Sequence, residues 1–227
     1  MKKLFVLALT TAAVCAATSA FAQQEGSWMM RIRAVDVETS KKSDAVVVGG
    51  ATVIPSDDIR VANKTIPEVD FSYFFSKNLA AELVLTYPQK MDVNIAASAA
   101  GAFKAGTVKV LPPTLTLQYH FLPDAQFRPY VGAGINYTRF SSISLGPLDD
   151  VTQTLGGGNT GTNTIDKNSW GGALQLGFDV KVAQNSFINV DVKKVYMKTD
   201  LKNSLVGKLS TLKIDPLYVG LGYGFKF

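Results

Sequence analysis

Over residues 217–227 the chain places an apolar side chain at every second position: Leu217, Val219, Leu221, Tyr223, Phe225 and Phe227. Successive side chains of a β-strand point to opposite faces, so these six share one face. Tyr218, Gly220, Gly222, Gly224 and Lys226 share the other, which is small or polar. The same period recurs in seven earlier segments, at residues 28–37, 67–75, 79–87, 108–121, 128–140, 169–182 and 187–197, with the last strand starting near 209. Segment 169–182 is the clearest: Trp170, Leu174, Leu176, Phe178, Val180 and Val182 alternate with Gly171, Ala173, Gln175, Gly177, Asp179 and Lys181.

Eight strands with one apolar face each need something apolar outside and something polar inside, the pattern of a transmembrane β-barrel. A lysine facing lipid near the midplane costs roughly 2–4 kcal/mol, so the charged set belongs in the lumen. That assignment turns Leu115, Leu117, Tyr119, Phe121, Ile188, Val190 and Val192 outward. It turns Arg31, Arg33, Asp70, Glu82, Gln118, His120, Asp179, Lys181, Asp191 and Lys193 inward. Short connections at 76–78, 122–127 and 183–186 alternate with mostly long ones at 38–66, 88–107, 141–168 and 198–208. Short turns face the periplasm in this class and long loops face outward, which puts both termini in the periplasm. A strand of about eleven residues, tilted by about 40°, rises roughly 28 Å, the height of the apolar band such a barrel presents. Phe75, Phe121, Phe127, Phe187 and Phe227 are expected at the periplasmic interface, and Tyr87, Tyr137, Trp170 and Tyr196 at the outer one. The predicted fold is all-β: an eight-stranded antiparallel transmembrane barrel, an up-and-down meander.

Lys2 and Lys3, an apolar stretch at 4–17 and the triplet Ala20, Phe21, Ala22 make a secretory signal with cleavage expected after Ala22. The stretch is shorter than the roughly 20 residues a spanning helix needs. Cys15 lacks the apolar run upstream that a lipoprotein signal has. Residues 1–22 are therefore assigned to a cleaved leader and 23–227 to one barrel domain of a Gram-negative outer membrane. Removing the leader takes the only cysteine and two of the 23 basic residues, leaving 21 against 18 acidic ones, a formal charge of +3. So mild and scattered an excess does not indicate nucleic acid.

Catalytic and cofactor chemistry find little support. His120 is the only histidine, with no acid or serine beside it in sequence, and reads as a hydrogen-bonded lumen residue. One histidine and no cysteine in the mature chain make a transition-metal site a poor fit. The glycine run 156–158 has no strand and helix around it to cradle a phosphate and reads as loop. An eight-stranded barrel is just wide enough for its own side chains, so the lumen charges are expected to form a salt-bridged plug and not an aqueous, porin-like pore. No enzyme activity, cofactor or metal is expected.

The segments LPPTLTLQYHF (111–121), FRPYVGAGINYTRF (127–140), NSWGGALQLGFD (168–179) and IDPLYVGLGYGFKF (214–227) closely resemble the OmpW family of outer-membrane proteins, with weaker likeness in NLAAEL (78–83) and around Arg31. The resemblance implies a monomeric barrel that passes small hydrophobic molecules beyond the lipopolysaccharide barrier. Its route is a pocket open to the outside and then a lateral opening of the wall into the bilayer. Pro112 and Pro113 lack N–H groups and must interrupt the ladder on one side of their strand, a candidate seam. By the family pattern the constriction below the pocket falls on Val84 and Lys193. Lysine departs from the apolar gate the family has there: either it pairs with Glu82 or Asp191 and seals the floor, or the alignment of that strand is displaced. Phe227 at the end of the last strand resembles the signal read by the barrel-assembly machinery. The competing reading is a structural or receptor barrel whose loops bind a bacteriocin, a phage or a host surface. An apolar pocket lined by segments such as 96–103 and 143–148 favours transport, and polar loops favour display.

Overall fold

The computed structural model describes residues 26–48, 50–155 and 161–227; the leader at 1–22 and the glycine run at 156–158 lie outside them. In chain order the elements are β1 (Trp28–Glu38), the short strands β2 (Lys42–Ser43), β3 (Val46–Val48), β4 (Ala51–Ile54) and β5 (Ile59–Val61), then β6 (Lys64–Phe74), β7 (Leu79–Leu85), β8 (Gln89–Ile95), β9 (Phe103–Leu111), β10 (Thr114–His120) and β11 (Phe127–Ser144). A helix, α1 (Gly146–Leu155), precedes β12 (Asn163–Ile165), β13 (Asn168–Ala183), β14 (Ser186–Val195), β15 (Lys198–Asn203), β16 (Gly207–Lys213) and β17 (Leu217–Lys226).

Eight of these strands form the wall, in the ring order β1-β6-β7-β10-β11-β13-β14-β17, each antiparallel to its neighbours. The ring closes through β1 and β17, where Met29 stands opposite Lys226 and Glu38 opposite Leu217. Closure leaves no free edge inside the bilayer, the condition a spanning sheet must meet. The outward set is the expected one, with Leu115, Leu117, Leu174, Leu176, Leu221 and Tyr223 exposed around the belt. Trp170 is 70% exposed and Tyr87 and Tyr196 join it at the outer rim, while Phe75, Phe121, Phe127 and Phe227 ring the other end. Phe187 does not belong to that ring. It is buried in the lumen under the Arg128 guanidinium, because its parity on β14 is that of Asn189 and Asp191.

Two expected strands are split, and the long connections are not irregular loops. Segment 108–121 breaks at Pro112 and Pro113 into β9 and β10, and segment 209–227 breaks into β16 and β17. Above the membrane band, β9 continues along β11 through Arg139↔Leu111 and Phe140↔Val110, and β8 and β5 extend the sheet outward from β9. A second sheet, β12-β15-β16-β2, rises from the opposite side, and α1 packs on β9. Asp149 of α1 accepts hydrogen bonds from the backbone N–H (2.7 Å) and Nδ2 (2.8 Å) of Asn163, fastening the helix to β12.

Candidate functional site

The lumen has two levels, and the strands that face it pass from one to the other along their inward positions. On β1 the inward residues run Arg31, Arg33, then Val35, Val37; on β6 they run Asp70, Glu68, then Ile66; on β14, Asp191, Lys193, then Val195. The register sets Val35 opposite Ile66, so the boundary matches between β1 and β6, whereas Asp191 and Lys193 fall, through Gly220 and Tyr218, in register with Val35 and Val37, so it comes two inward residues later along β14. Below it the inward side chains are mostly charged or polar, and above it an apolar cavity opens.

The lower level is a network of ion pairs with no exposure to solvent at its centre. Arg31 grips Asp179 through Nε (3.1 Å) and Nη2 (2.7 Å), and its Nη1 donates to Glu82 and Ser72, both at 2.7 Å. Arg33 Nη1 lies 2.7 Å from Asp70 and 3.1 Å from Glu68. Gln175 Nε2 bridges Glu82 (2.8 Å) and Asp191 (2.7 Å), and the Tyr130 hydroxyl donates to Asp191 at 2.8 Å. His120 is buried between the rings of Tyr130 and Phe74, with Nε2 3.1 Å from Gln118 Oε1. Gly177 makes room for the Tyr130 ring: a Cβ there would lie 2.4 Å from the Tyr130 hydroxyl. Charges taken this far from water are tolerated because each finds a partner of opposite sign or a hydrogen bond. Lys181 is only half-buried and stands apart from this cluster, at the short-turn end.

Lys193 sits at the top of the plug. Its Nζ is 3.3 Å from Glu68 and 3.8 Å from Asp191, not against Glu82, so its principal partner is a residue that alternation alone did not single out. Glu68 was available by parity, two positions from Asp70 on the same face. Val84, Lys193, Glu68, Pro112, Thr114 and Tyr218 border a space of about 10 Å³ just above the network, at the lower limit of what one water molecule needs. Three of the four residues singled out from sequence therefore meet at this floor. Pro113 is the exception and lies in the wall beside it.

Above the floor is a cavity of about 60 Å³ whose exposed wall is almost wholly apolar. Val37, Ile66 and Pro112 line its base, Met91, Val93 and Ile95 one side, Leu145 and Leu148 of the α1 region the top, and Met197, Leu201 and Ile214 the far side. Of the loop segments expected there, 143–148 contributes Leu145 and Leu148. Segment 96–103 does not line it: Ala97, Ala99 and Ala100 are exposed, and Ile95 and Ala105 flank the cavity instead.

Beside the floor the wall is interrupted. Between β7 and β10 the ladder ends at Thr114↔Val84, and it resumes between β8 and β9 at Gln89↔Val110. On the other edge of the same segment the β6–β7 ladder ends at Val69↔Leu85 and pairing resumes at Val61↔Val93. Pro112 and Pro113 border the first of these gaps, Pro67 of β6 the second, and Pro88 lies in the segment between them, all without an N–H to donate. Toward β11 the proline pair remains tied: Tyr137 N–H donates to the Pro113 carbonyl at 3.1 Å, and Asn136 Nδ2 reaches both proline carbonyls.

Residues 24–227 match the OmpW family as a whole. The chain is 37% identical to the uncharacterized outer-membrane protein y4mB of Sinorhizobium fredii, over 96% of this chain and 88% of that one. It is 30% identical to outer membrane protein W of Escherichia coli over the full length of both. Among solved structures it resembles the outer membrane protein OprG of Pseudomonas aeruginosa, with a TM-score of 0.74 at 25% identity, covering 91% of this chain and 99% of that one.

Proposed function

The chain belongs to the OmpW family of outer-membrane barrel proteins, and from that premise we propose that it admits small hydrophobic molecules through the outer membrane by a lateral route. The solute enters the outward-facing cavity, stops on the Lys193–Glu68 floor, and leaves sideways where the ladder is interrupted at Pro112 and Pro113. The observation that carries this reading is the adjacency of an aliphatic cavity and a gap in backbone pairing, both directly above a lumen filled with ion pairs. A hydrophilic solute gains nothing from an aliphatic pocket and has no aqueous path below it. An apolar solute gains about 25 cal/mol for each Å² it removes from water, first against the cavity wall and then in the hydrocarbon. Val84 and Lys193 act as the constriction that turns the solute aside, and lipopolysaccharide is the barrier bypassed.

The test is uptake of n-decane by vesicles bearing lipopolysaccharide on their outer face, with and without the reconstituted barrel. Wild-type protein accelerates entry; a Pro112→Val, Pro113→Val variant, which restores an N–H on the gap side at position 112 and one toward β11 at position 113, slows it toward the protein-free rate. Unchanged uptake by a correctly folded variant rules out the lateral route.

A further inference from the structure

On its outer face the wall carries a group of cations just above the gap. The last outward pair below the gap between β7 and β10 is Leu83 with Leu115, and the first outward pair above it, between β8 and β9, is Lys90 with Lys109. Lys109 stands in turn opposite Ser141 of β11, two positions from Arg139 on the same face. All three cations are exposed, and among the described residues none of their side chains makes an ion pair or a hydrogen bond. Asp92, two positions along β8 from Lys90 on that face, is taken by Lys104 at 2.8 Å. A further cation adds to the group, since Lys64 Nζ donates to the Lys90 carbonyl at 3.2 Å. Like charges set directly opposite on neighbouring strands are destabilising, and the chain supplies no carboxylate to relieve this pair. Their height is fixed by the aromatic belt: Arg139 lies two residues beyond Tyr137, whose ring packs on Trp170 with centroids 4.8 Å apart. Two strand residues span about 7 Å, which brings Arg139 to the level of the headgroups just outside the hydrocarbon. Below the cations Leu83, Leu115 and Tyr87 are 39%, 47% and 56% exposed and face the acyl region.

We propose that Lys90, Lys109 and Arg139 bind a phosphate of an outer-leaflet glycolipid, the lipid A portion of lipopolysaccharide, and hold its acyl chains over the gap against Leu83, Leu115 and Tyr87. A phosphate accepts charge-assisted hydrogen bonds from all three side chains at once, the Arg139 fork included, and cancels the repulsion between the two lysines. A zwitterionic phospholipid brings its own ammonium to the same place and gains less. The glycolipid thus covers the outer side of the interrupted ladder, and this assignment stands or falls without the uptake reading. A second row of exposed lysines, Lys42, Lys213 and Lys198, crosses the other sheet, but there the Asp215 carboxylate is fixed next to Lys198 by the Met197 N–H at 2.9 Å. That row therefore serves as the control.

The measurement is native mass spectrometry of the full barrel in detergent, titrated with hexa-acyl lipid A bearing both phosphates and with the same lipid A lacking them. Wild-type protein binds the phosphorylated form about tenfold more tightly, the worth of one charge-assisted hydrogen bond. In a Lys90→Gln, Lys109→Gln, Arg139→Gln variant, folded by gel mobility, the two forms bind within about twofold of each other. A Lys42→Gln, Lys198→Gln, Lys213→Gln variant, with the same change in net charge, keeps the wild-type preference. The bisphosphorylated disaccharide without acyl chains binds at least about tenfold more weakly than lipid A, because it leaves the apolar face below the cations uncovered. The wild-type comparisons need no variant and are free of any folding defect. Equal affinity for the two forms of lipid A, a preference that survives in the first variant, or an equal loss in both variants overturns the site. Equal binding of the acyl-free disaccharide marks a site for soluble anions and overturns the lipid assignment.

Discussion

Arg31 is the residue on which the plug depends most, and its removal gives a magnitude that can be worked from contacts. Replacing it with methionine keeps much of the aliphatic stem and deletes the four donations to Asp179, Glu82 and Ser72. Glu82 retains Arg33 at 3.5 Å and Gln175 at 2.8 Å, but Asp179 is left with the Asn189 amide at 2.8 Å and the charge of Arg128 opposite it on β11. Breaking a buried ion pair by removing one partner costs about 3–5 kcal/mol, because the stranded charge is left in a medium that solvates it poorly. Arg31→Met is therefore expected to lower unfolding stability by about that amount. Arg31→Lys, which keeps the charge but cannot span Asp179 bidentately while also reaching Glu82, should cost about 1.5–3 kcal/mol. Asp179→Asn in the Arg31→Met background should recover part of the loss, giving a coupling of at least about 1 kcal/mol. The assay is urea-induced unfolding of the barrel in phospholipid vesicles, followed by the gel mobility that distinguishes folded from unfolded protein. A loss below about 1 kcal/mol for Arg31→Met, or strict additivity with Asp179→Asn, would show that the network is solvated and not a sealed plug.

The belt and the wall give two further expectations. Leu176, 61% exposed at mid-strand between Val131 and Val192, should cost about 2–4 kcal/mol when replaced by lysine in the same vesicle assay, and a neutral result would deny that this face meets lipid. Two nearby glycines should differ: a Cβ at Gly134 would stand 2.0 Å from the Leu115 carbonyl oxygen, so Gly134→Ala must push β10 off β11 and lose about 1–3 kcal/mol, while at Gly172 the nearest atom is 3.8 Å away and Gly172→Ala should be nearly silent; equal stabilities would refute the close approach.

Much of the barrel was legible because lipid imposes a strict period of two. Leu174, Leu176 and Leu221 had to face out once Gln175, Asp179 and Lys193 had to face in, and the even ring and its short-turn end followed. The same rule misled only where it was not applied consistently, as at Phe187, whose parity was inward and whose burial agrees with it. The upper half of the lumen was harder to see. Val35, Val37, Ile66 and Val195 share the parity of Arg31, Asp70 and Lys193, so an inward residue could be polar or apolar, and only the folded ring gathers scattered valines and isoleucines into one apolar cluster.

Alternation of polarity by itself determined the strands, their outward faces, the membrane belt and the presence of charge inside, because each is a local property of residues two apart. The partners across the lumen were left to the folded ring: that Lys193 meets Glu68, 125 positions away in the chain, and that α1 and the β8–β9 hairpin close over the cavity. The reason is geometric. Parity along a strand decides which way a side chain points, but strand stagger and tilt set the height at which it arrives, and contacts across a closed barrel exist only between residues delivered to the same height.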